Sequence, residues 1–168
     1  MLEKPSTNDF VRFYEINSDP ENNLYNPHGA MSYENAKIIF RNILKHWEKE
    51  KFGLWKISES KNPNFVIGFG GISFRKYGEE TKINLGYRLD KYYWGNGYAT
   101  ELVQNAIDYA FTELGFNEVF ALVSPRNIAS IKVLEKCNMK LFSSLADVPQ
   151  EENSWVYKIF KSYESNKL

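Results

Sequence analysis

The sequence predicts an α/β protein. Apolar, β-branched and aromatic runs of strand length alternate along it with segments whose apolar residues recur at helical spacing. A glycine turn, Trp94-Gly95-Asn96-Gly97-Tyr98-Ala99-Thr100, lies between one strand (Ile83 to Leu89) and a long amphipathic segment, where Ala99, Val103, Ala106, Ala110, Phe111 and Leu114 share a face. Glycines at a helix start leave backbone N–H groups bare, and the helix dipole adds partial positive charge there. Such an end binds a phosphate or pyrophosphate.

The elements follow in order. Leu2 to Lys4 is a short edge strand. Ser6 with Asp9 caps a first helix carrying Phe10, Phe13, Tyr14 and Ile16, and Ser18-Asp19-Pro20 ends it. After the loop Asn26-Pro27-His28-Gly29, Ser32 caps a second helix with Ala36, Ile39, Phe40, Ile43, Leu44 and Trp47 on one face. Gly53 to Ser58 and Phe65 to Phe74 read as strands joined by Asn62-Pro63-Asn64. Tyr77-Gly78-Glu79-Glu80 is a turn into the strand at 81–89. Beyond the long helix, Glu118 to Val123 is a buried strand and Asn127 to Cys137 a short helix. Met139 to Ser143 and Trp155 to Tyr163 are strands around a polar loop. Neither a repeat nor a linker interrupts residues 1–168, which read as a single domain.

Composition narrows the function. With 43% hydrophobic and 25% charged residues, 168 residues can bury a sizeable core. Lys+Arg and Asp+Glu balance at 21 each, so no charge bias points to nucleic acid or a membrane surface. The longest apolar run, Phe65 to Ile72, is too short to span a bilayer. Met1 leads straight into Glu3, Lys4 and Pro5, with no signal peptide in view, and the single cysteine, Cys137, rules out an internal disulfide framework. The expected location is cytoplasmic.

The stretches Asn-Leu-Gly-Tyr-Arg-Leu-Asp (84–90), Tyr-Trp-Gly-Asn-Gly-Tyr-Ala-Thr-Glu (93–101) and Ser-Pro-Arg-Asn-Ile-Ala-Ser-Ile-Lys-Val-Leu-Glu-Lys-Cys-Asn-Met (124–139) resemble the GNAT superfamily of N-acetyltransferases. Within it they are most similar to the branch of ribosomal-protein N-terminal alanine or serine acetyltransferases, which Ser18-Asp19-Pro20 and Phe52-Gly53-Leu54-Trp55 also fit. The resemblance runs from about Ser6 to the last strand. It implies a single-domain GNAT fold: a mixed, mostly antiparallel sheet, flanked by helices, whose fourth and fifth strands splay apart around acetyl-CoA. Pantetheine would pair with the backbone of Tyr87, Arg88 and Leu89. The pyrophosphate would sit at the turn formed by Trp94, Gly95, Asn96, Gly97, Tyr98, Ala99 and Thr100. Asn127 would reach the pantetheine arm, and Ser130 would donate to the sulfur as it leaves. Because charge builds on sulfur only as the amine displaces it, that bond strengthens in the transition state.

Attack of a neutral amine on a thioester needs neither a metal nor a covalent enzyme intermediate. The sequence carries no HExxH, paired CxxC or Gly-x-Ser-x-Gly pattern. Cys137 reads as core. Two positions depart from the family pattern. Tyr92 stands where an older form of the motif has Gln or Arg. Asn84 stands where the branch commonly has Glu, whose carboxylate would take the amine's proton through water. Asn84 cannot act as a base. It can orient a water, with the proton passing to solvent, a backbone carbonyl or another side chain. Tyr157 is an alternative acid to Ser130. His28, in a loop that resembles the acceptor lip of the slot, either touches substrate or is a surface residue, and Glu151 and Glu152 either are a solvated loop pair or draw in a cationic acceptor. Tyr87, Tyr92 and Tyr93 either shape the slot or pack, and His46 reads as a solvated helix position.

The expected function is transfer of acetyl from acetyl-CoA to a primary amine, either a protein or peptide α-amino group or a small-molecule amine. Many family members dimerise, so a homodimer is among the expected states. The competing reading is a non-catalytic CoA-binding sensor or interaction module, favoured by Asn84. A Rossmann dehydrogenase fails because Gly95-x-Gly97-x-x-Thr100 lacks a third glycine and no acidic residue ends the strand at Val123.

Overall fold

A computed structural model describes residues 1–162. Its core is a seven-stranded sheet in the order β1-β2-β3-β4-β5-β7-β6. The strands are β1 (Leu2–Glu3), β2 (Leu54–Glu59), β3 (Asn62–Tyr77), β4 (Glu80–Leu89), β5 (Glu118–Val123), β6 (Lys140–Leu145) and β7 (Ser154–Phe160). All neighbours are antiparallel except β4 and β5. The helices are α1 (Phe10–Ser18), α2 (Tyr33–Glu50), α3 (Tyr98–Thr112) and α4 (Ile128–Lys136).

Alternation along the strands sorts the core into two layers. Ile83, Leu85 and Leu89 of β4 join Leu102, Val103, Ala106 and Ala110 of α3 and Ile131 and Leu134 of α4 in the main cluster. Phe69 and Val66 of β3 instead meet Phe13 and Ile16 of α1 and Ala36 and Phe40 of α2, with Phe69 edge-on to Phe13. Helices therefore cover the sheet on both faces. None of them, among the described residues, is long and apolar enough to cross a membrane.

Local signals held at the caps. Ser6 N–H donates to the Asp9 carboxylate at 2.7 Å, and the Ser32 hydroxyl accepts from Asn35 N–H at 3.3 Å. A 3-10 turn at Thr7–Asp9 precedes α1. Several expectations need correction. Asn62-Pro63-Asn64 belongs to β3 rather than to a connection, because Asn62 pairs with Glu59 across a tighter turn at Ser60 and Lys61. β4 likewise starts at Glu80, which pairs with Tyr77, and leaves a two-residue turn. Ile39 is exposed, since the seam of α2 runs through Ala36 and Phe40. His46 is not a solvated position: its Nδ1 meets the Phe52 carbonyl at 2.8 Å and its Nε2 accepts from Phe74 N–H at 3.3 Å, stitching α2 to β3. β7 ends at Phe160, and the expected extension to Tyr163 lies outside the described residues.

Candidate active site

The parallel pair is where the sheet opens. β4 and β5 are in register only at Asn84↔Phe120 and Leu85↔Ala121, whereas β3 and β4 pair without interruption from Gly68↔Leu89 to Tyr77↔Glu80. From Gly86 onward β4 therefore has one strand neighbour instead of two, and a cavity of about 750 Å³ occupies the gap. Its walls include Tyr87, Arg88 and Leu89 of β4, Leu122 and Val123 of β5, the start of α3, and Asn127 and Ser130 of α4. A volume of this order suits a ligand larger than a simple amine.

The glycine turn shapes one end. Gly95 and Gly97 both lie in the left-handed region, at φ of 76° and 85°, and a Cβ built on either meets nothing within 4 Å. Glycine is required there by the backbone dihedral, not by crowding. Gly97 is the N-cap of α3, and no side chain caps that helix. The first helical bond runs from Glu101 N–H to the Gly97 carbonyl, which leaves the N–H groups of Tyr98, Ala99 and Thr100 without helical acceptors. An uncapped helix start facing open space fits the pyrophosphate of a CoA thioester.

A second layer of contacts, invisible to motif reading, holds this turn in place. Lys91 Nζ reaches Asp19 at 2.9 Å and Glu21 at 3.0 Å, while Lys91 N–H donates to Asn22 Oδ1 at 2.8 Å. These carboxylates hold the Lys91 ammonium well above the usual lysine range, and Lys91 in turn lowers Asp19. The segment entering the glycine turn is thereby fastened to the loop between α1 and α2. Trp94 Nε1 donates to the Leu89 carbonyl at 3.0 Å, so that carbonyl already has a donor. Tyr98 donates to Glu59, which raises the Tyr98 hydroxyl and lowers the Glu59 carboxyl.

Ser130 lies across the cavity from that turn's strand. Asn127 Oδ1 accepts from Ser130 N–H at 3.1 Å, capping α4, so the amide Nδ2 is the part of Asn127 left for a ligand. The Tyr87 hydroxyl donates to Ser130 Oγ at 3.1 Å. That bond leaves the serine's own proton free to be donated onward. Burial pushes the Tyr87 hydroxyl above the usual tyrosine range. Tyr87 thus combines a backbone on the gap with a side chain bonded to Ser130. Nothing local in the sequence named Ser130, 43 residues away, as the partner of Tyr87.

Two catalytic candidates lie away from the cavity lining. Asn84 is buried, and its Oδ1 accepts from the Tyr77 hydroxyl at 2.7 Å. Tyr157 is only 1% exposed and donates to Glu135 at 3.0 Å; burial and that carboxylate both raise it. Neither is among the residues that line the gap, whereas His28, Glu151 and Glu152 all are. Cys137 is buried, donates weakly to the Thr100 carbonyl and is pushed up by burial, as a core thiol is. Among the described residues, no group of three or more His, Cys, Asp or Glu side chains is placed to hold a metal.

Comparison with known proteins gives this arrangement a family. Residues 1–140 match the family described as Acetyltransferase (GNAT) domain. The chain belongs to the GNAT acetyltransferases. It is 31% identical over 147 residues, 88% of its own length and 82% of the relative's, to the uncharacterized N-acetyltransferase YnaD of Bacillus subtilis (strain 168). It is 40% identical over 86 residues to the uncharacterized protein YkkB of the same organism, a match spanning 51% of the chain and only 49% of that relative. Among solved structures, spermidine N-acetyltransferase from Vibrio cholerae in complex with CoA and spermine superposes with a TM-score of 0.74 at 15% identity, covering 95% of this chain and 94% of that one. The ribosomal-protein branch receives no specific support from these relatives.

Proposed function

We propose that this GNAT chain is one acetyltransferase domain that moves acetyl from acetyl-CoA to a primary amine, either the α-amino group of a protein or peptide or a small-molecule amine. The observation that carries the reading is the uncapped start of α3, with Gly95 and Gly97 left-handed, opening into the gap between β4 and β5. The Vibrio cholerae neighbour, solved with CoA and spermine, supports both the cofactor and the amine acceptor.

In this reading the N–H groups of Tyr98, Ala99 and Thr100 hold the pyrophosphate, and the edge of β4 from Tyr87 to Leu89 borders the pantetheine arm. Acetyl-CoA supplies an activated acetyl thioester. Ser130 donates its proton toward the sulfur, and Tyr87, by donating to Ser130 Oγ, holds the serine in the orientation that leaves this proton available. Asn84, with Oδ1 already accepting from Tyr77, takes no proton from the amine. The amine therefore enters neutral or releases its proton through water toward the mouth, where His28, Glu151 and Glu152 stand.

An acceptor screen that reads free CoA thiol tests this. Thiol release dependent on an amine, with the acetylated product confirmed by mass, is expected. If acetyl-CoA raises the melting temperature yet no amine releases thiol, the protein is a CoA-binding module and the catalytic reading fails.

A further inference from the structure

We propose that Arg88 binds a carboxylate on the acceptor, so that the amine acetylated by this protein belongs to an amino acid or another amine carrying an acid group. The inference rests on the acetyl-transfer reading and narrows the acceptor within it.

Register places Arg88 on the opposite face of β4 from the proton donor. Tyr87 pairs with Gly70, whose added Cβ would strike Leu102 of α3. Arg88 pairs with Phe69, which packs against α1 and α2. Tyr87 thus lines the gap from the side of α3 and α4, and Arg88 lines it from the side of α1 and its following loop. The Arg88 guanidinium is part-buried, and burial lowers it from the usual arginine range with no carboxylate acting against that shift.

Its partners are few. Nη1 donates to Asn17 Oδ1 at 2.9 Å, and among the described residues no carboxylate lies within ion-pair distance. By contrast Arg12 meets Glu15 and Asp90, Lys91 meets Asp19 and Glu21, and Lys158 meets Glu118. The carbonyls ending α1 are not spare acceptors either. Phe13 O is taken by Asn17 Nδ2, Ile16 O by Asn22 Nδ2, and Asn17 O by both Asn23 Nδ2 and Met31 N–H. No fully buried side-chain nitrogen among the described residues lacks a partner, so the Arg88 nitrogens other than Nη1 are not sealed in the core, and Arg88 is among the residues that line the cavity. A guanidinium offers five donors in a planar fork, and one neutral amide oxygen leaves most of that fork to a ligand. The planar anion that matches it in two parallel bonds is a carboxylate.

The test compares matched pairs, glycine with glycinamide and β-alanine with β-alaninamide, for wild type, Arg88→Gln and Arg88→Lys. Amides are the weaker bases and carry more neutral amine at a given pH, so basicity alone favours them. In wild type, kcat/KM is expected to favour the acid of each pair by about 10-fold or more, carried by KM, as for a lost charge-assisted bond. Arg88→Gln should bring that ratio to about 1 or below, and Arg88→Lys should leave it intermediate, the charge without the fork. Because the ratio is read within each protein, a general loss of activity does not disturb it. A wild type that prefers the amides, or an Arg88→Gln that slows acid and amide equally, overturns the proposal. If no amine is acetylated, the acetyl-transfer reading alone has failed and binding decides the matter. N-acetylglycine, but not N-acetylglycinamide, should then bind wild type in the presence of CoA by calorimetry, with the heat lost in Arg88→Gln. Equal binding or none overturns it.

Discussion

Two helices begin at the same gap, and they begin differently. α4 starts on Asn127, whose side chain accepts from Ser130 N–H, so its end is closed by its own sequence. α3 starts on Gly97, with no side-chain cap and with backbone dihedrals that a side chain would strain. At an ordinary end, as at Ser32 on α2, the chain satisfies the orphan donors itself. Leaving three of them bare beside a cavity sacrifices local stability for a place where an anion fits. α4 contributes a positioned hydroxyl, and α3 contributes a field.

The sharpest way to break this contrast is Gly97→Asp. The substitution forces a side chain to adopt φ near 85° and sets a carboxylate where the pyrophosphate would lie. The acetyl-CoA-induced rise in melting temperature should disappear altogether. Gly97→Ala separates the two causes: it carries the backbone strain, about 1–2 kcal/mol, without the charge, and should keep a reduced shift. An equal shift in wild type and Gly97→Asp would detach the cofactor from α3.

On the α4 side the expected effects are kinetic. Ser130→Ala should lower kcat by roughly 10- to 100-fold with KM for acetyl-CoA little changed, since the lost bond acts in the transition state. Tyr87→Phe should lower kcat by a smaller factor, about 3- to 10-fold, because Ser130 keeps its proton and loses only its orientation. In the double variant the tyrosine's effect should vanish, as expected of residues acting as a unit. If Ser130→Ala stays within about twofold, the hydroxyl pair is structural.

The cap itself offers a smaller change. Asn127→Ala should destabilise the fold by about 1 kcal/mol, a drop of roughly 2–4 °C for a chain of this size. Opening the α4 end this way should not create an anion site, because the chain at α4 lacks the left-handed glycines that expose the donors of α3. A gain in phosphate or CoA affinity in Asn127→Ala would show that any uncapped end suffices and that the two helix starts do not differ as anion sites.

What the sequence disclosed follows the range of the interactions. The caps at Ser6 and Ser32 are contacts three residues long, and both were legible. The glycine turn was legible because backbone dihedral depends on residue type, whereas the splayed strands were legible only through the resemblance to the GNAT superfamily. His46 was misread because its helix position looks solvated, while its partners, Phe52 and Phe74, arrive from outside that helix. The same holds for Tyr87 with Ser130, Arg88 with Asn17, and Lys91 with Asp19, Glu21 and Asn22. These pairs are made only when the sheet brings β4 beside α1 and α4, so no local pattern could name them.

The least perturbing probe of the two sides is pH. The Tyr87 and Tyr77 hydroxyls are both raised, chiefly by burial, so both stay protonated up to and beyond pH 10, where an unfolded tyrosine titrates. Tyr87 can then donate to Ser130 across any ordinary assay range, and the rise of kcat/KM with pH should follow the acceptor's own pKa and shift when the acceptor is changed. Above pH 10 the unfolded chain gives up protons that the folded one retains. The unfolded state binds fewer protons, and stability must fall as pH rises. Urea unfolding should accordingly show an alkaline decline that is shallower in Tyr77→Phe and in Tyr87→Phe than in wild type. At neutral pH Tyr77→Phe should also lose about 1–3 kcal/mol, because the buried Asn84 Oδ1 is left without its donor. A kcat/KM plateau fixed near pH 6 to 7 for every acceptor would instead reveal a dedicated base, with a side chain at the cavity mouth, His28, Glu151 or Glu152, taking the proton.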